Sequence, residues 1–213
     1  MSDKPWDAID YSAAAALYAS RYEIHKRLIQ FFQGNQVHEY VQLALGIVEK
    51  GGNYSAAEHG LGPKILQHSP PETVFELAKK LFMCQRPEEV PEVIYNENLP
   101  YLKISVGSEM AALLKPHVFW VTNVRTVWAH LVIKHNDLGL ANEELRYYRT
   151  TDMSSEMEYQ LWSDIHPHIG ASMHQIVKVA SMHANRQGIK AGDLTYLWAD
   201  AIADTAYNKY SRR

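Results

Sequence analysis

An all-α fold is predicted: one compact multi-helix domain of about eight or nine helices, with two helical lobes as the alternative arrangement. Three observations predict it. Apolar residues recur at helical spacing over nearly the whole chain. Glycine, proline and short polar residues punctuate those runs where helix ends and starts belong. Residues 101–106, YLKISV, are the one short stretch that alternates as a strand would.

The first helix is predicted over residues 10–32. Leu17, Ile24, Leu28 and Phe31 line one face, and Tyr11, Tyr18, Tyr22, Ile29 and Phe32 form a second stripe. A helix apolar on two faces touches two things, either two parts of its own fold or a partner as well. Gly34 ends it. Asn35 suits the cap of a second helix reaching about residue 50, with Val37, Val41, Ala44, Ile47 and Val48 facing inward. Gly51 and Gly52 stop that helix, and residues 51–70 read as a loop. Pro70-Pro71-Glu72 opens the next, which carries Val74, Phe75, Leu77, Ala78 and Leu81.

Residues 86–100 set Pro87, Pro91 and Pro100 among four glutamates and read as a linker. That puts an N-terminal helical lobe at residues 1–85 and a C-terminal lobe, packed on it, at residues 101–213. Gly107-Ser108-Glu109 opens a helix that ends at Lys115-Pro116. Residues 119–135, FWVTNVRTVWAHLVIKH, are the longest periodic run and predict a central helix, broken by Asn136-Asp137. A short helix is expected over residues 142–149. Ser154 or Ser155 caps another, which ends near His166-Pro167. Residues 169–187 form a long helix, and Asp193 caps the last one, carrying Leu194, Leu197, Trp198 and Ala201 on one face.

Composition narrows the function. The chain has 213 residues, 46% hydrophobic and 21% charged, the profile of a soluble globular protein. A net charge of −3 gives no electrostatic case for nonspecific binding to nucleic acid or anionic membrane, although a local basic groove is compatible with it. Cys84 is the only cysteine, which excludes an intramolecular disulfide and a four-cysteine zinc site. The polar start MSDKPWDAID has no signal core, and no run of about 18 uncharged apolar residues occurs. A soluble cytoplasmic protein without a membrane partner is the expectation. The 13 tyrosines and 5 tryptophans point to surfaces that meet partners, where such rings are enriched.

Catalytic signatures are sparse. Arg125 and His130 lie inside the central apolar run, and polar groups so placed often mark sites. An arginine followed by four residues and a histidine resembles the Rx4–6H signature of HEPN-type ribonucleases, which are also all-helical. The resemblance covers six residues, 125–130. It implies metal-independent cleavage of RNA, with Arg125 and His130 assisting attack of a ribose 2′-hydroxyl, usually at a dimer interface. Positions five apart on a helix diverge by about 140°, which sets these two on opposite borders of the apolar stripe. On that geometry Arg125 is a structural ion-pair residue, with Asp164, Glu109 and Asp200 as candidate partners. His166, His168, His174 and His183 lack HExxH spacing, so neither metal nor other cofactor is expected. No GxSxG elbow or phosphate loop occurs, and Cys84 reads as an inert thiol.

Arg146, Tyr147, Tyr148 and Arg149 combine two cations with two stacking rings, and the tail repeats that composition in Lys209, Tyr210, Arg212 and Arg213. Such pairs can hold single-stranded nucleic acid through phosphate contacts and base stacking. The expected function is a non-catalytic interaction or assembly protein that associates with itself or with another protein. In its most concrete form it is a nucleocapsid- or coat-like subunit holding single-stranded RNA. Its expected contact residues are Tyr11, Tyr18, Tyr22, Arg146, Tyr147, Tyr148, Arg149, Tyr207 and Tyr210. The HEPN-like ribonuclease is the alternative.

Overall fold

The computed structural model describes residues 4–149 and 155–211, and among them every regular element is helical. The described residues hold twelve α-helices and two 3-10 turns, more than the eight or nine helices predicted. The surplus comes from short pieces: α1 (Lys4–Asp7), α4 (Tyr54–Glu58), α5 (Leu61–His68) and α7 (Glu89–Glu97). Helices this brief complete too few turns to display a period, so the 51–70 and 86–100 stretches looked like loop and linker. The alternating 101–106 stretch is no strand, because α8 (Ile104–Leu114) begins inside it.

The chain divides into two compact units, Met1–Ala19 with Thr122–Arg213, and Ser20–Val121. The long helix α2 (Tyr11–Gln33) gives its first residues to one and its remainder to the other. Its start is as predicted, with the Asp10 carboxylate accepting from the Ala13 amide at 3.0 Å. The division does not follow the 86–100 stretch. That stretch lies within Ser20–Val121, where Pro91 and Ile94 of α7 are buried and α7 packs on α8. Proline is tolerated in the first turn of α7, where its missing N–H has no helical partner to lose.

In the Ser20–Val121 unit, α8 is the centre. All but one of its residues are buried, from Ile104 to Leu114, as expected for a helix that is apolar all round. Against it pack α4, α6 (Pro71–Met83) and α7, while α3 (Val37–Ala44) packs on α6 and α5 on α4. The helix α3 stops well before the predicted residue 50. Gly46 takes φ +65° there, its amide donating to the Leu43 carbonyl and the next amide, of Ile47, to that of Gln42, both at 3.0 Å. This is a Schellman ending, which needs a residue able to adopt the left-handed conformation.

The other unit joins α1 and the start of α2 to α9 (Val124–His135), α10 (Leu138–Glu144), α11 (Ser155–Arg186) and α12 (Thr195–Tyr210). Trp128, Ile169, Met173, Ile176, Leu197 and Trp198 form its core. The predicted central helix begins only at Val124. Asn123 and Thr126 close a reciprocal capping box there, and both are buried. The expected break at His166-Pro167 is absent, and α11 runs continuously for 32 residues with Pro167 inside it. Pro167 is exposed, so the carbonyl that loses its amide partner can be hydrated. Asp193 does not cap α12, whose N-cap is Leu194. Its carboxylate accepts instead from the Tyr18 hydroxyl. No helix among the described residues is long and apolar enough to cross a membrane.

Candidate functional site

Two features of the Met1–Ala19 and Thr122–Arg213 unit draw polar and aromatic side chains together. The first is a patch of cations and rings. The residues Arg146, Tyr147, Tyr148 and Arg149 belong to a 3-10 turn, Leu145–Arg149, that follows α10. Buried Leu145 anchors the turn, and Arg146, Tyr147 and Arg149 face outward, with Tyr147 68% exposed. The guanidinium of Arg149 lies 5.6 Å from the Tyr207 ring and donates to its hydroxyl. Tyr207 itself stands edge-on to Trp128, at 5.8 Å, which fixes the ring from beneath. One turn on, Lys209 lies 5.3 Å from the Tyr210 ring. The turn and the last helix, far apart in sequence, thus form one cation–aromatic surface. Arg212 and Arg213 of the predicted tail lie outside the described residues, as does Ser154.

The second feature is a cleft of about 440 Å³ beside the same turn, bordered by Tyr148, Lys134, Glu144, His130, Asp164 and His168. Tyr148 packs edge-on to Trp162 at 6.0 Å. The rings of His130 and His168 stack at 6.3 Å, and the His130 Nδ1 lies 2.8 Å from the Ser172 hydroxyl. Glu144 accepts from Lys134 at 2.7 Å and pairs with His135 at 2.5 Å. Burial works to raise its carboxyl, but those two hydrogen bonds outweigh it and hold the group below the usual range. Burial, then the charges of Glu144 and Asp164, push the Tyr148 phenol up.

His130 is pushed down to about 4, first by burial and then by neighbouring His168 and Lys134. A base whose folded value is depressed takes up fewer protons folded than unfolded, so its stabilising contribution is complete above pH 6.5 and is lost as pH falls towards 4. Discounting for a ring open to solvent on one side, that contribution is on the order of 1–2 kcal/mol. The His130→Gln variant should therefore show a flatter fall in melting temperature than the parent between pH 7 and pH 4.5. Parallel curves would mean that His130 does not titrate differently on unfolding.

The arginine and histidine of the Rx4–6H resemblance are held by different partners. The Arg125 side chain pairs with Asp204 of α12 at 2.5 Å. The partner is thus none of the three acids named from sequence, but one turn beyond Asp200. Glu109 is engaged by Arg21 in the other unit. His130 faces α11 across the cleft. Three of the other histidines named from sequence have separate surroundings: His166 is buried against Thr122, His174 meets Tyr196, and His183 meets Asp7. Among the described residues no group of histidine, cysteine or carboxylates converges as a metal site would.

Comparison with models of protein families, with curated proteins and with solved structures finds no match.

The remaining contact residues are spread out. Tyr11 is 1% exposed, its hydroxyl donating to the Trp6 carbonyl at 2.5 Å, so it is a core residue and presents no surface. Tyr18 is half-buried, edge-on to Trp198 at 5.8 Å and bonded to Asp193, with burial first among the causes that push its phenol up to about 12. Tyr22, in the other unit, is half-buried beneath Lys26. Sequence reasoning missed the cleft for a specific reason. His130 and Lys134 are four apart, and so are Asp164 and His168, which is the spacing of one helical face. The second pair straddles Pro167, and a helix broken there hides it.

Proposed function

We propose that this chain is a non-catalytic helical interaction and assembly protein whose cation–aromatic surface holds single-stranded RNA, as a nucleocapsid- or coat-like subunit does. The observation that supports it is the contact of Arg149 with Tyr207, which joins two cation–tyrosine segments distant in sequence. Arg146, Arg149 and Lys209 supply phosphate contacts, and the exposed Tyr147 ring supplies a stacking face. Stacking adds about 1–3 kcal/mol per base and tolerates any sequence. A patch of so few cations on a chain of net charge −3 binds weakly alone. Self-association multiplies it, because each added subunit binds a strand already held nearby.

The test is binding of a fluorescent 12-nucleotide U-rich RNA, with light scattering on the same samples before and after nuclease treatment. The parent is expected to bind at low salt, to lose affinity steeply as salt rises, and to grow in mass with concentration. Tyr147→Ala should weaken binding about tenfold, and Arg146→Ala should also reduce the salt slope. Both side chains are exposed, so the fold should be kept. A protein that stays monomeric at high concentration and ignores RNA at low salt would overturn the proposal.

A further inference from the structure

The cleft beside the patch has a lining unsuited to a phosphate. The carboxylates of Glu144 and Asp164 outnumber the one ammonium, Lys134, which Glu144 already neutralises. An anion is repelled there, whereas a flat, uncharged group with hydrogen-bond donors on its edge is welcome. Leu161 and Ile165 give the cleft apolar wall, and Tyr148 and His168 bring ring faces. Its volume of about 440 Å³ lies within the range of small-molecule sites, about 300–1,000 Å³. Tyr148 borders it while its chain neighbours Tyr147 and Arg149 belong to the patch, so a strand lying on the patch passes the mouth of the cleft.

From this we infer that the cleft reads a base, and that the base is guanine extruded from the bound strand; the inference rests on the RNA reading above. Glu144 is engaged by Lys134 and His135, which leaves Asp164 as the reading carboxylate. Asp164 is exposed and is approached by the Gln160 amide at 2.7 Å, a contact an incoming donor can replace at the surface. A carboxylate presents two parallel acceptors. Guanine offers two parallel donors on one edge, its ring N1–H and its 2-amino group. Adenine and cytosine offer one amino group beside an acceptor, and uracil one imino group between two acceptors. Extrusion is inexpensive because a single strand has no pairing to break.

The experiment compares four 12-nucleotide RNAs by fluorescence anisotropy at one salt concentration: repeats of UUG, UUI (inosine, which lacks the 2-amino group), UUA and UUU. The parent should bind the UUG repeat about tenfold more tightly than the other three. Asp164→Asn should bring all four to the affinity of the UUU repeat, without loss of binding to UUU. The inosine comparison needs no protein variant, so it stands even where Asp164→Asn folds poorly. Equal affinities for all four RNAs, with the salt dependence intact, would overturn the base-reading cleft and leave the patch standing. Binding to none of them would overturn the RNA reading and this inference with it.

Discussion

Glu109→Ala should lower the stability of the protein by about 3–5 kcal/mol, read as a shift in the urea midpoint with the slope unchanged. Glu109 and Arg21 form an ion pair at 2.6 Å with both side chains 0% exposed. Arg21 also donates to the Gly51 carbonyl at 2.7 Å and lies 5.1 Å from the Tyr54 ring. Removing the carboxylate leaves a guanidinium buried beside fewer acceptors, and burial of a charge without its counter-ion is the expensive case. The carboxylate has a second task. It accepts from the amides of Tyr54 at 2.9 Å and Ser55 at 3.1 Å, the first residues of α4, where helical N–H groups lack partners. This distinguishes the pair from an ordinary buried salt bridge, whose replacement by apolar residues is often neutral. The double variant Arg21→Met/Glu109→Leu should recover part of the loss but remain about 2 kcal/mol below the parent, because the buried Ser55 amide and the half-buried Tyr54 amide both lose the Glu109 carboxylate. Full recovery would mean that α4 does not need the carboxylate.

Gly52→Ala should be comparably harmful, at about 3 kcal/mol or more. A Cβ at position 52 would lie 1.8 Å from the Leu43 carbonyl oxygen and 2.9 Å from its carbon. Both are backbone atoms, so no rotamer change relieves the clash, and the Lys50–Gly52 turn must move away from the end of α3. The neighbouring Gly51 carbonyl is an Arg21 acceptor, so that movement also strains the buried ion pair. Gly60 is the control. It has φ +60° and nothing within 4 Å of its would-be Cβ, so Gly60→Ala meets only conformational strain, about 1 kcal/mol. Equal melting temperatures for the two alanine variants would refute the close approach.

These positions show where the sequence was legible. Gly51-Gly52 reads in the sequence as a stop signal, which concerns local conformation. Its larger role is contact with α3, and that depends on where the chain returns. Glu109 reads in the sequence as a helix opener and a candidate partner for Arg125, yet it lies inside α8 and pairs with Arg21, 88 positions away. The site divides the same way. Arg146, Tyr147, Tyr148 and Arg149 were visible because cations and rings adjacent in sequence stay adjacent on a turn. Their junction with Tyr207, and the facing of His130 by His168 and Asp164, were not, since each joins different helices.

The all-helical class, the start of α2 at Asp10 and the inward faces of α6 and α12 follow from the sequence alone. Periodicity and caps act over a few residues, and a few residues are enough to express them. The tertiary structure decided which acid meets Arg125, where the two units divide, and that Pro167 sits within one continuous helix. It also decided that side chains of α9, α10 and α11 border one cleft. Such outcomes depend on packing between segments remote in the chain, where many pairings satisfy the same local pattern and only the assembled core selects one.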